Sequence, residues 1–127
     1  MPSAKKTVLI IEDSELTRTR YKEALEHEGY KVIESSNGSD GFSQAIMVKP
    51  DLIILDLIMP RMGGLGVLDM LQGDLGVSHI PVVVITGNDR EDEREQAISS
   101  GAKMYILKGS SVVKELVSAV ERLIGTA

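Results

Sequence analysis

Apolar residues in this chain come in short runs that do not alternate with polar ones. Leu52 to Leu55 (LIIL) reads as a strand buried on both faces and Thr7 to Ile11 (TVLII) as a first buried strand, while Ile80 to Ile85 (IPVVVI) and Met104 to Leu107 (MYIL) read as a fourth and a fifth strand. Pro81 is tolerated at a strand start. Lys31 to Ser35 (KVIES) is more polar and reads as an edge strand. Between these runs the spacing changes to that of helices. Ser14 can cap a first helix, with Leu16, Arg20, Ala24 and Leu25 near one face and Gly29 as its stop. Asn37-Gly38 reads as a turn. Phe42, Ala45 and Ile46 form the inner face of a second helix that Pro50 ends.

Leu65, Leu68 and Leu71 suggest a short third helix, weakened by its glycines, and GDLGVSH after it reads as a mobile loop. Asn88 to Glu91 fits a capping box for a fourth helix that is mostly charged and anchored by Ala97 and Ile98. Gly101 ends it. Val113, Leu116, Val117, Val120 and Leu123 give a clean stripe for a fifth helix, closed by Gly125. Strands alternating with helices predict an α/β fold, a doubly wound five-stranded parallel sheet covered on both sides. Right-handed crossovers put the ends of all the strands on one edge, where open sheets of this kind bind ligands.

The length of 127 residues predicts a single domain, 1–127, with a substantial core. The formal charge of −5 argues against direct nucleic-acid binding, which normally needs a basic face. No cysteine is present, so disulfides and thiolate metal sites are excluded. MPSAKK runs straight into the first strand-like run and does not read as a signal peptide, and no apolar run approaches a membrane span. A soluble, cytoplasmic protein is the expectation.

The polar residues at the ends of these apolar runs change the picture. The first strand delivers Glu12 and Asp13, the third Asp56, the fourth Thr86 and the fifth Lys108. Taken singly, each has a plain explanation. The acidic pair suits a helix N-terminus, Thr86 a cap, Lys108 a solvated strand end, and Asp56 a turn held by Pro60, Gly63 and Gly64. Together on one edge they do not. Three crowded carboxylates repel unless they shift their pKa values or bind a cation. An oxygen-only ligand set suits a hard ion such as Mg²⁺. Thr86 offers a hydroxyl and Lys108 a point charge, both suited to a phosphoryl group. Asp56 is then the candidate nucleophile.

Glu12-Asp13 after a first strand, DLIILDLIMPRMGG around Asp56, ITG at Thr86 and GAKMYILKG ending near Lys108 together resemble the receiver domain of bacterial two-component response regulators. The resemblance runs from about Thr7 to Leu123. It implies a CheY-like, flavodoxin-type fold with strand order 2-1-3-4-5. It also implies that Asp56 accepts a phosphoryl group from a phosphohistidine on a histidine kinase or histidine phosphotransfer protein. Asp13, Asp56 and the main-chain carbonyl of Ile58 would bind Mg²⁺, with Glu12 acting through water. Lys108 would pair with phosphoryl oxygens, and Thr86 and Tyr105 resemble the family's switch pair. Such a domain catalyses its own phosphoryl transfer and dephosphorylation. The family usually has Pro after the lysine, often through a cis bond; here Gly109 stands in its place. A cis bond to Gly109 would cost about 3 kcal/mol more than trans, so a trans bond or a remodelled loop is expected.

Other readings compete. A haloacid-dehalogenase-type phosphohydrolase wants a second Asp two residues after the nucleophile, where Ile58 stands. A flavodoxin-like cofactor binder wants a Gly- or Ser/Thr-rich phosphate cradle, where EDSELT is acidic. A receiver-like protein-interaction module that ignores phosphate remains the alternative. His27 and His79 read as surface residues, Tyr105 alone as an ordinary half-buried aromatic, and DREDERE as a solvated helix face. The chain ends right after its fifth helix, which predicts a stand-alone receiver or one cut from a larger regulator or hybrid kinase.

Overall fold

The computed structural model describes residues 5–59 and 62–126. Pro60, expected in the loop after the third strand, lies outside them. Five strands form one parallel sheet: β1 (Thr7–Ile11), β2 (Lys31–Ser35), β3 (Leu52–Asp56), β4 (Val82–Thr86) and β5 (Met104–Leu107). Their order is β2-β1-β3-β4-β5, as the resemblance implied. Burial on both faces explains the unbroken runs of the inner strands, whereas MYIL forms the edge strand β5 and only Ile106 in it is buried. β3 and β4 are buried at every position, whereas the mixed KVIES run lies at an edge.

Five helices cover the sheet: α1 (Glu15–His27), α2 (Gly38–Val48), α3 (Gly64–Gln72), α4 (Glu91–Ser99) and α5 (Val112–Ile124). Two apolar layers result. One joins Leu9, Ile11, Ile53 and Leu55 to Ala45 of α2, Val67, Leu68 and Leu71 of α3, and Ala97 of α4. The other joins Val8, Ile10, Ile54 and Val83 to Tyr21 and Leu25 of α1 and to Leu116 and Val120 of α5. Alternate residues of each strand serve opposite layers.

Several local expectations are corrected. α1 buries Tyr21 and Leu25, four apart; Leu16 is 76% exposed and Arg20 is exposed, because they fall on the outer side of that stripe. Asn37 is the N-cap of α2, its side chain accepting from the Asp40 N–H at 2.8 Å, so Asn37-Gly38 starts a helix instead of making a free turn. Arg90 occupies the N-cap of α4 and its side chain caps no helix N–H, so the capping box at Asn88 to Glu91 does not form. Ile98 is 47% exposed, which leaves Ala97 as the single buried residue of α4. The loop at 73–79 is pinned: Val77 is buried in the core, and the Asp74 carbonyl and carboxylate accept from the N–H groups of Gly76, Val77 and Ser78. α5 buries Val112, Leu116, Ala119 and Val120, with Val113, Val117 and Leu123 packed half-buried beside them.

No cis peptide bond occurs among the described residues, so the bond to Gly109 is trans as expected. Gly64, at the start of α3, permits a close approach that no other residue would. A Cβ there would stand 2.5 Å from both the Asp56 carbonyl oxygen and the Leu57 Cα. Among the described residues no helix is long and apolar enough to cross a membrane.

Candidate functional site

Parallel strands with right-handed crossovers end on one edge, and the residues expected there do converge. Glu12, Asp56 and Thr86 are only 2%, 3% and 0% exposed, although each is polar. Carboxylate oxygens of Glu12, Asp13 and Asp56 lie within 4.8 Å of one another. Buried carboxylates at this separation need a counter-charge. Lys108 supplies one, its Nζ donating to Glu12 Oε1 at 3.0 Å and to Asp56 Oδ2 at 3.4 Å.

Main-chain groups hold the rest. Ser14 N–H donates to the other Glu12 oxygen at 3.1 Å, and Ile58 N–H donates to Asp56 Oδ1 at 3.1 Å. Ser14 is also the N-cap of α1, accepting from the Thr17 N–H at 3.3 Å, so one residue both starts the helix and holds the Glu12 carboxylate. β4 and β5 meet behind the site through Lys108 N–H and the Thr86 carbonyl at 2.8 Å.

Electrostatics reflect these contacts. Burial opposes the charge on Lys108, but the hydrogen bond to Glu12 and the charges of Asp56 and Glu12 outweigh it and raise its pKa. Asp13 is raised by burial and by the hydrogen bond and charge of neighbouring Glu12. It is the exposed member of the acidic cluster. An all-oxygen cluster with one accessible carboxylate fits a hard divalent cation and not a thiophilic one.

Thr86 Oγ1 donates to Glu93 Oε1 of α4 at 3.2 Å and accepts from Asn88 N–H at 3.2 Å. The Tyr105 hydroxyl donates to the Asn88 carbonyl at 3.2 Å. The Tyr105 ring is half-buried, with the Arg94 guanidinium carbon 5.9 Å from its centroid. Burial, then the charges of Glu93 and Asp89, raise the pKa of its phenol.

Two residues that sequence reasoning passed over also reach the site. Arg18 of α1 donates to the Glu12 carbonyl at 2.7 Å and through Nε to Glu34 of β2 at 3.1 Å, bracing the end of β1. A basic residue one turn into the helix after an acidic strand end was the available signal. Glu93, expected on a solvated face with the rest of DREDERE, is instead half-buried against Thr86. No sequence signal distinguished it from its acidic neighbours.

A doubly wound sheet with buried acids and a lysine at its carboxyl edge defines a class of phosphate- or cation-handling α/β domains. Similarity to known proteins narrows it. The response regulator receiver domain family matches residues 8–121, so the chain belongs to that family and is a receiver domain of two-component signalling. A relative is the polar-differentiation response regulator DivK of Brucella anthropi, 32% identical over 122 residues that cover 96% of this chain and 98% of DivK. The fold is that of the chemotaxis protein CheY4 of Vibrio cholerae, with a TM-score of 0.88 at 22% identity over 95% of this chain and 100% of that one. It is likewise that of the receiver domain of the Pseudomonas aeruginosa sensor histidine kinase PA1611, described with magnesium coordinated in its active-site cleft. There the TM-score is 0.86 at 24% identity, covering 97% of this chain and 100% of that one.

Proposed function

We propose that Asp56 is the phosphoacceptor of this receiver and that its donor is a phosphohistidine on a histidine kinase or histidine phosphotransfer protein. The observation that carries the reading is Lys108 bonded to both Asp56 and Glu12, inside a cluster of three carboxylates at the carboxyl edge of the sheet. In the forward step an Asp56 oxygen attacks phosphorus. The phosphorus–nitrogen bond of the donor breaks, and its electron pair returns to the imidazole. Lys108 stands where negative charge collects on the phosphoryl oxygens, and its raised pKa keeps it cationic for that task. The Ile58 N–H holds the second Asp56 oxygen and so orients the attacking one. Water later attacks the acyl phosphate, releasing inorganic phosphate and restoring the carboxylate.

The donor set fits Mg²⁺: Asp13 and Asp56 would hold it, Glu12 would act through water, and the Ile58 carbonyl would be the further ligand that the family resemblance implies. When bound, the ion neutralises charge on the phosphoryl oxygens and screens the carboxylates from one another. The magnesium described for the PA1611 receiver supports this assignment, and the phosphorylated cyanobacterial regulator RcpA, 25% identical at a TM-score of 0.85, supports the acceptor role. Thr86 and Tyr105 then form the switch. A phosphoryl group on Asp56 draws the Thr86 hydroxyl toward it, and the change is read at α4 and β5. The reading implies a cytoplasmic location, the compartment holding the ATP from which phosphohistidine is made.

The test is transfer from a radiolabelled histidine phosphotransfer protein. Label should move to this chain only when Mg²⁺ is present, and chelation should stop it. Label that stays on the donor with Mg²⁺ present, for every donor tried, would replace this reading with that of a phosphate-independent interaction module.

A further inference from the structure

α4 carries four acidic residues, Glu91, Asp92, Glu93 and Glu95. Three are exposed, as a solvated face should be, and Glu93 alone is half-buried. Its carboxylate accepts the hydroxyl hydrogen of Thr86, a residue that is 0% exposed. Thr86 sits one residue beyond Ile85, the register partner of Asp56, at the end of the neighbouring strand. The same hydroxyl oxygen accepts from Asn88 N–H, which leaves its lone pairs partly engaged and its single proton committed to Glu93. A threonine hydroxyl has one proton. It cannot serve Glu93 and a phosphoryl oxygen on Asp56 at once.

We propose that Glu93 is a positioning residue that acts through Thr86: it holds the hydroxyl in reserve and so sets how readily the site passes to its phosphorylated state. The proposal rests on Asp56 being the phosphoacceptor. A carboxylate is a strong acceptor, and a hydrogen bond to a charged group must be given up each time Thr86 turns to the phosphoryl group. Glu93 also belongs to the helix that would carry the change outward. Release of Thr86 therefore loosens α4 at the same moment, since Ala97 is the single buried residue of that helix. The lack of a side-chain cap at Arg90 leaves the start of that helix free to move with Glu93. The Asn88 main chain links the second switch residue to the same loop, since Tyr105 donates to its carbonyl. One carboxylate thus restrains the whole β4–α4 connection.

The experiment tracks phosphoryl uptake from acetyl phosphate with Mg²⁺, by intact mass against time, in the full chain and its variants. Glu93→Ala should take up the group about ten- to a hundredfold faster, the worth of a hydrogen bond to a charged acceptor. Glu93→Gln, which keeps a weaker acceptor of the same shape, should fall between. Glu95→Ala removes the same charge from the exposed face of the helix and should match the parent. In a Thr86→Ala background Glu93→Ala should lose its gain, because the effect passes through the hydroxyl. A gain that persists there would show simple charge repulsion or loosening of α4 and would overturn the proposal. Uptake by the parent with Glu93→Ala no faster would overturn it while leaving Asp56 as acceptor. No uptake by the parent, together with no beryllofluoride binding, would remove the reading on which it rests.

Discussion

The Lys108 ammonium lies 3.4 Å from a carboxylate oxygen of Asp56, although 52 residues separate them in the chain. Parallel pairing brings them together: β3 pairs with β4, and β4 with β5, so their last residues share one edge. Glu12, at the end of β1, completes the arrangement from the other side of β3.

Lys108→Met should leave Glu12 and Asp56 buried without a cation. We expect a loss of about 1–3 kcal/mol in the absence of divalent ions, the cost of stranding buried charged groups. Urea unfolding would check it. Mg²⁺ should restore more stability to the variant than to the parent, and phosphoryl uptake should fall at least about tenfold as one charge-stabilising donor is lost.

Gly64→Ala places a methyl group against backbone that cannot yield, 2.5 Å from the Asp56 carbonyl oxygen and the Leu57 Cα. The expected cost is about 1–3 kcal/mol, with slower uptake because the displaced segment carries the acceptor. Gly109→Ala is the control, since a Cβ there meets nothing within 4 Å. Thermal unfolding of the pair should separate them clearly.

Glu34 gives a pH dependence. Burial would raise its pKa, but hydrogen bonds from Lys22 and Arg18 outweigh that and hold it below the ordinary 4.5. The unfolded chain therefore binds this proton more readily than the folded one. The contribution is complete above about pH 4.5 and fades as pH falls through the lower folded value. Glu34→Gln should be less stable than the parent at pH 7, by at most about 1 kcal/mol for partly exposed pairs, and should approach it near pH 3. Urea midpoints at the two pH values would decide.

Thr86→Ala should still end with one phosphoryl group on Asp56 but lose the consequence of that group. With beryllofluoride and Mg²⁺, amide shifts in the parent should spread over Glu91–Ser99 and Met104–Leu107; in the variant they should stay near Asp56. Equal spread in both would deny Thr86 its switch role.

The sheet was legible because buried parallel strands need no alternation, so each apolar run announced itself and the polar residue ending it marked the functional edge. Glu12, Asp13, Asp56, Thr86 and Lys108 were all found that way, and the structure places them on that edge. Helix faces were less legible. Leu16 is apolar yet points outward, whereas Tyr21 with its hydroxyl points in, and no rule of residue type separates them. In DREDERE every turn of the helix is acidic, so periodicity gave no reason to choose Glu93. GDLGVSH reads as loose because it mixes two glycines with polar residues, but buried Val77 and the hydrogen bonds to Asp74 anchor it. Arg18 acts on a main-chain carbonyl, a partner that no side-chain pattern reveals.

The most direct measurement is intact mass after incubation with acetyl phosphate, with and without Mg²⁺, for the parent and Asp56→Asn. One phosphoryl group on the parent, absent without Mg²⁺ and absent from the variant, is the predicted result. Equal incorporation into Asp56→Asn would contradict the account, because the group would then reside on a residue other than the one the site is built around.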